Sequence, residues 1–443
     1  MKINVLKKEI DFGLLFIILL SIFGLPPEVF FVISFVYYIF LLLKNHGKTY
    51  IPIIPGIRIY VCIILIAIVI GMMVHPIRNV LRDAYYVLPT MLWVFIGYHL
   101  KKREKNNRYN IFKTLYIYGG CVSLVCMARF LFDFTLDFSE IKTIFTTNVY
   151  EIGFILPIFI MEVLLTKRVV FSKLIDCFLI IVMTIQIILS LGRIAILQPI
   201  IALLVFSFIL ARYNSEQRKV FRKLMVLLLM FVVIFTFIFS ILPSDITDIF
   251  ADKLSYTLDE VDSTKNINSV SEAMSNWRGY EIQLAWEQWK ESNIWKQIFG
   301  AGMGKSFYIE YVPTTWQSFV INNEIPLLHN GFFTLLPKIG FLGMSVFVYI
   351  FLGCIYKGWK YIRDPFVNKD GSCTFLVGIM IASIATTYVA CGPVRQGTFL
   401  AWGLLLGYLN ENINANLRTK GEYAFGNVKG STTMNVTHNM EEK

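Results

Sequence analysis

The sequence predicts an all-α fold, a polytopic transmembrane helical bundle of about 12 helices with one large extracytoplasmic loop between helices 9 and 10, and three observations carry that prediction. First, 56% of the residues are hydrophobic and 16% charged, with a mean hydropathy of +0.62, which lies outside the range of soluble globular domains. Second, runs such as DFGLLFIILLSIFG, FFVISFVYYIFLLL and VCIILIAIVIGMMV approach the roughly 20 apolar residues that a helix needs to cross a bilayer. Third, Lys and Arg cluster between these runs rather than inside them. A membrane β-barrel would alternate polar and apolar residues in segments of about ten, and no such pattern is present.

Taken in chain order, the apolar windows place spans near 10–25, 27–43, 57–74, 84–100, 112–132, 148–166, 174–191, 194–211, 224–242, 339–356, 374–391 and 396–410. The basic connections KNHGKTY, KKREKNNRYNIFK, TKRVVFSK, ARYNSEQRKVFRK and YKGWKYIRD each follow an even-numbered span. Assigning them to the cytoplasm puts both termini inside. The net charge of +11 is thereby explained by topology, and no nucleic-acid partner is expected. The start MKINVLKKEI has the charge of a signal peptide, yet no small-residue cleavage site follows and Pro26-Pro27 leads into another span, so a retained first helix is expected. Cys62, Cys121, Cys177 and Cys391 lie in or beside apolar segments without metal-ligand spacing; neither a metal site nor a cofactor is expected.

These spans divide the chain into helices 1–9 (residues 1–242), an extracytoplasmic loop (243–328), helices 10–12 (329–410) and a polar cytoplasmic tail (411–443) whose composition predicts disorder. The loop carries six Lys or Arg against twelve Asp or Glu, in keeping with an outside location. Within it Ser269-x-x-Glu272 is a capping-box signature. A helix to about Glu291 follows, with Trp277, Tyr280, Leu284 and Gln288 at three-to-four spacing, expected to lie on the outer membrane surface.

Against this topology the basic residues on the outer side stand out: Arg78, Arg82, Arg193, Arg278 and Arg395. The planar five-donor guanidinium suits phosphate oxygens, and several at one membrane face suit a lipid-linked phosphate or diphosphate. Arg193 sits in Leu189-Ser190-Leu191-Gly192-Arg193, a short turn between two apolar helices, which holds its head at the outer headgroup level; a lone arginine there is otherwise an interfacial anchor. His329, in Leu327-Leu328-His329-Asn330-Gly331, precedes the tenth span. Imidazole suits proton transfer near neutrality, so an outer-face His among arginines is a candidate base, whereas an isolated one is more often a structural group at a helix start. The stretch Gly300-Ala301-Gly302-Met303-Gly304-Lys305-Ser306 is not a phosphate-binding P-loop: Phe299 occupies the position of its first glycine and no strand precedes it. It reads as a flexible backbone turn, and no nucleotide partner is expected.

The order Ser-x-x-Arg between two helices, an arginine on a helix, Gly-x-Gly-x-Gly, then His-Asn before a helix with Gly340 and Gly343 resembles the bacterial O-antigen ligase and O-antigen polymerase superfamily over about Leu189 to Val348. The resemblance implies a metal-independent, inverting glycosyltransferase of the cytoplasmic membrane. It would move a glycan from undecaprenyl diphosphate to a hydroxyl of a glycan or lipid acceptor at the outer face, among membrane lipid. It further implies that Arg193 and Arg278 hold the diphosphate and His329 takes the acceptor proton, with Arg78, Arg82, Arg395 and Asn330 as further substrate-binding residues. Many members carry a glutamate in the helix after His-Asn, where this chain has Pro337-Lys338, and many have serine where Gly192 stands. The arginine, arginine, His-Asn order favours a ligase; a polymerase of repeat units is the alternative. A transporter of lipid-linked oligosaccharide would also have about twelve helices but places ionisable groups near mid-membrane, whereas Asp133, Glu151, Glu162 and Asp176 fall towards predicted helix ends.

Overall fold

The computed structural model describes residues 10–23, 25–44, 47, 50–103, 111–133, 137–166, 170–213, 217–241, 248, 267, 269–312, 323–394 and 400–437. The first helices are α1 (Phe12–Leu20), α2 (Pro27–Lys44), α3 (Ile57–Val74), α4 (Ile77–Arg103), α5 (Ile111–Phe132), α6 (Phe138–Phe145), α7 (Val149–Thr166), α8 (Lys173–Leu189), α9 (Arg193–Tyr213) and α10 (Gln217–Ile241). Shorter elements follow: α11 (Val270–Ser275), α12 (Trp277–Lys290), α13 (Ile294–Phe299) and an antiparallel ladder of β1 (Phe307–Tyr308) with β2 (Glu324–Ile325), in which Phe307 faces Ile325. The chain then runs through α14 (Gly331–Tyr361), α15 (Ser372–Ala390) and α16 (Leu400–Thr437).

Apolar runs become helices because lipid offers no partner to a backbone N–H or C=O, so each segment has to bond its own. Among the described residues five helices are long and apolar enough to cross a membrane: Ile57–Val74, Ile111–Phe132, Arg193–Arg212, Gly331–Tyr361 and Ser372–Ala390. Ser139–Phe145 with Val149–Val163, bent by 56°, makes a sixth if the pair is one span. Exposed apolar stripes agree with a lipid surround: Val226, Leu229, Val233 and Phe237 on α10, and Ile59, Ile66 and Met73 on α3, each set sharing one helix face. Small residues set the inner seams. Gly97 on α4 lies against the Leu404 carbonyl of α16, and Gly407 against the Val94 carbonyl, at separations that leave no room for a Cβ.

Long-range contacts sort the helix ends into two groups. At one end Gln198 Nε2 donates to Tyr150 O at 3.0 Å, Glu151 accepts from Leu400 N and Ala401 N at 2.5 Å each, and Thr90 Oγ1 donates to Pro393 O at 3.0 Å. The Cys391 carbonyl packs on Gly331 at the same end. At the other end Tyr50 N donates to His99 Nε2 at 3.2 Å, Lys102 Nζ lies 3.6 Å from the Tyr50 ring centroid, and Asn414 Nδ2 donates to Ile53 O at 3.3 Å. The starts of α7, α9, α14 and α16 therefore share one end of the bundle, and Tyr50, His99 and Lys102, which flank basic connections, lie at the opposite one.

Two expectations change. The stretch expected to be a disordered tail from 411 begins instead as packed helix: α16 continues past Asn410, and Glu411, Asn412, Ile413 and Asn416 are buried. The polar run pairs with the turn between α14 and α15, where Asn412 Nδ2 bonds Asp370 and Ser372 Oγ (2.6 Å for the latter) and Asn416 Nδ2 donates to Val367 O at 3.0 Å. Composition alone cannot distinguish a solvated run from one that caps a turn. The loop helix α12 also turns its apolar stripe elsewhere than expected. Trp277, Tyr280 and Ala285 pack with Phe307, Ile309, Ile325 and Leu328 in a small separate core rather than being left for a membrane surface, and Gln288 Nε2 donates to Tyr308 O at 2.9 Å.

Candidate active site

His329 stands where the small loop core meets the bundle, and its surroundings follow from two local signals. Asn330 is the N-cap of α14: its Oδ1 accepts from Phe332 N at 3.0 Å and Phe333 N at 3.1 Å, as an Asx cap does. Asn330 is buried, so this substrate-binding candidate serves the helix start rather than an open face. The capping box at Ser269 starts α11, with Ser269 Oγ accepting from Glu272 N at 3.2 Å, and α12 follows after a break at Asn276. Tyr280 pins α12 to the segment after β1: its hydroxyl accepts from Glu310 N at 3.0 Å and Tyr311 N at 3.2 Å, and burial pushes its phenol up from the ordinary value. On the same helix Glu281 reaches His329, with Oε1 3.0 Å from Nδ1 and Oε2 2.7 Å from the backbone N–H. The His329 side chain is 37% exposed, the Glu281 side chain 2%.

The glycine stretch is not a flexible turn. It is a strap enclosed by three helices. Met303 N donates to Ala67 O on α3 at 2.8 Å, Gly304 N to Asp83 Oδ2 on α4 at 2.7 Å, Ala301 N to Pro337 O at 2.9 Å and Gly302 N to Lys338 O at 3.0 Å on α14. The α14 helix makes this possible by breaking at Gly340, whose φ of 68° lies in the left-handed region. That break leaves the Pro337 and Lys338 carbonyls for the strap, and a Cβ at Gly340 would collide with the Ile298 carbonyl and the Gly300 amide. Broken helices are tolerated at membrane depth when other backbone completes the bonding.

Beside the strap lies a buried ion pair. Lys338 Nζ is 2.5 Å from Asp83 Oδ2 and 2.7 Å from Pro326 O, with side chains 2% and 1% exposed for Lys338 and Asp83. Arg82, a third exposed, shares Asp83 at 3.4 Å and donates to Ser306 Oγ at 3.4 Å. Arg78 is exposed one helical turn earlier, and His75 Nε2 lies 3.1 Å from Ala301 O.

All but one of the predicted residues have a place among the described residues. Arg278 is on α12 three residues before Glu281, a spacing that puts their Cβ atoms about 5–6 Å apart on one helix face. Arg193 opens α9 after a turn in which Leu191 takes a φ of 49°. Through Gln198, Tyr150, Glu151 and Leu400, this start of α9 lies at the end of the bundle that also holds Gly331 and His329. Arg82 and Arg78 reach the same end through Asp83 and Lys338. Arg395 falls outside the described residues.

Three residues of the site, Glu281, Asp83 and Lys338, were not picked out from the sequence. Each had the same signal, a charge set on an apolar stripe. Glu281 falls among Trp277, Tyr280 and Ala285, Asp83 among Val80, Ala84 and Val87, and Lys338 beside Leu335 and Ile339.

A search of curated proteins finds no match to the chain. Residues 178–348, however, match the family model described as O-antigen ligase. The matched stretch runs from α8 through the strap into α14 and so contains Arg193, Arg278, Glu281 and His329. Over those residues the chain is similar to the O-antigen ligase family, which supports a relation to the O-antigen ligase and O-antigen polymerase superfamily.

Proposed function

We propose that the chain is an O-antigen ligase-like membrane glycosyltransferase that moves a glycan from undecaprenyl diphosphate to an acceptor hydroxyl at the outer face of the cytoplasmic membrane. One observation carries the reading: a histidine held by a buried carboxylate and several arginines from separate helices lie at one end of the bundle, opposite the end where Lys102 and Tyr50 flank basic connections. The positive-inside rule assigns the basic end to the cytoplasm and therefore the His329 end to the outside. Twelve spans, both termini inside and an external loop over 243–328 complete this topology.

In the proposed reaction the acceptor hydroxyl attacks the anomeric carbon. Its proton passes to His329, the oxygen electron pair forms the new glycosidic bond, and the old C–O pair leaves with the lipid diphosphate. A single displacement inverts the anomeric centre, and no metal is needed. Arg193 and Arg278 neutralise the charge that grows on the departing diphosphate. Arg78, Arg82 and Arg395 bind phosphate or glycan at the rim, and Asn330 contributes by capping the helix that presents His329.

The test is turnover of an undecaprenyl diphosphate-linked glycan by the full chain in nanodiscs, with Arg193→Ala, Arg278→Ala and His329→Ala at matched amounts. Wild type should consume donor, and removal of the base should slow transfer by about a hundredfold to ten-thousandfold. A single product identifies a ligase and a size ladder a polymerase. Wild-type rates in all three variants would remove the site assignment. Glycan crossing the bilayer without transfer would establish a transporter instead.

A further inference from the structure

The carboxylate of Glu281 collects three N–H donors: Trp277 Nε1 at 2.8 Å, the His329 backbone N–H at 2.7 Å, and His329 Nδ1 at 3.0 Å from one oxygen and 3.2 Å from the other. A carboxylate only accepts, so the hydrogen of this last contact resides on Nδ1. In the neutral ring the basic lone pair then belongs to Nε2. Glu281 has little freedom to do otherwise. It is enclosed in the wall of the loop core, with Trp277 one turn earlier on the same helix and Tyr280 fastening that helix to residues 310 and 311.

We infer that Glu281 is a positioning residue for His329. It selects the Nδ1–H tautomer, aims Nε2 at the acceptor hydroxyl and stabilises the imidazolium that forms when the proton arrives. The inference rests on the proposed glycosyl transfer with His329 as base. Glu281 takes no proton in the step: the hydroxyl proton ends on Nε2, Nδ1 keeps its own hydrogen, and the carboxylate balances the new positive charge. Arg278 lies one turn before Glu281, so α12 carries both the group that orients the base and a group assigned to the leaving diphosphate. Acid–base geometry and leaving-group geometry are therefore set by one rigid element.

Full-length protein in nanodiscs, with undecaprenyl diphosphate-linked glycan as donor, provides the test. Glu281→Gln keeps the shape but can present an amide N–H to Nδ1 and so favour the wrong tautomer. Its kcat should fall by about a hundredfold or more, while donor KM stays within about threefold. Added to His329→Ala, the same change should produce no further loss. Unchanged kcat in Glu281→Gln, or losses that multiply in the double variant, would overturn the assignment while leaving glycosyl transfer intact. Full turnover by His329→Ala would overturn the underlying reading as well. Should Glu281→Gln fail to fold, wild-type protein labelled with 15N-histidine answers the same question. The resonance that disappears in His329→Ala should report a protonated Nδ1 in the neutral ring, and an Nε2–H tautomer there sinks the idea.

Discussion

At the end of the bundle that holds residues 410–420, amides bridge charged and polar groups: Asn412 serves Asp370 and Ser372, Asn416 serves the Val367 carbonyl, and Lys357 donates to Asn410 Oδ1 at 3.1 Å and Asn414 Oδ1 at 2.8 Å. The ion pairs there keep an exposed cation, Arg418 on Glu411 and Lys420 on Asp364, whereas the His329 end buries both members of the Lys338–Asp83 pair and holds His329 by the buried Glu281. The first arrangement is what a helix connection needs to remain shut. The second keeps charge in a low-dielectric setting where it acts strongly on whatever arrives, and it is hard to explain as packing because apolar residues of similar volume would hold the helices at least as well. Polarity near a membrane surface therefore has two meanings here, and substitutions can separate them.

The sharpest break comes at the buried pair. Lys338→Met leaves Asp83 without its main counter-charge and should cost about 3–5 kcal/mol, whereas Asp83→Asn with Lys338→Met should recover most of that. Thermal unfolding of both variants in detergent measures the difference. If the double variant is as stable as wild type but transfers glycan slowly, the pair belongs to the site; if it transfers normally, the pair is only a fastening. Next in size, Gly340→Ala forces a side chain into the Ile298 and Gly300 backbone and should destabilise by on the order of 3 kcal/mol.

The opposite end should respond in stability alone. Asn412→Ala leaves Ser372 Oγ and the Asp370 carboxylate short of a donor and should lower stability by about 1–3 kcal/mol, with kcat per folded molecule unchanged. A fall in kcat would dissolve the division between the ends. The smallest effect belongs to Asp364, whose carboxyl is held below the usual carboxylate range by the hydrogen bond from Lys420 Nζ at 2.5 Å. Its folded-state value is depressed, so the unfolded chain binds more protons and the contribution is complete above the ordinary carboxylate range. It is lost as pH falls through the lowered value. Asp364→Asn should thus lose less than about 1 kcal/mol near neutrality and nothing in strong acid, read from unfolding midpoints against pH.

Much of this architecture was legible as runs of apolar residues. The windows near 57–74, 194–211 and 374–391 fall on Ile57–Val74, Arg193–Tyr213 and Ser372–Ala390. The window near 339–356 begins eight residues late, because Pro337, Lys338 and Gly340 interrupt the apolar pattern while the helix itself starts at its Asn330 cap. The bend between α6 and α7 left no comparable trace. For the candidate site, chemistry singled out His329, Arg193 and Arg278, whose side chains are unusual at the face the topology predicts to be outer. Glu281, Asp83 and Lys338 acquire meaning only from partners 48 to 255 residues away, a pairing that no spacing rule carries.

The strap also bears on how the chain is made. Its amides are completed by Ala67 and Asp83 from the first quarter of the sequence and by Pro337 and Lys338 from the last, so neither half contains a finished strap. Contacts of such sequence separation form late. In a chain that stops short of α14, the Ala301 and Gly302 amides lack the Pro337 and Lys338 carbonyls that accept from them here, so the strap is left open on that side.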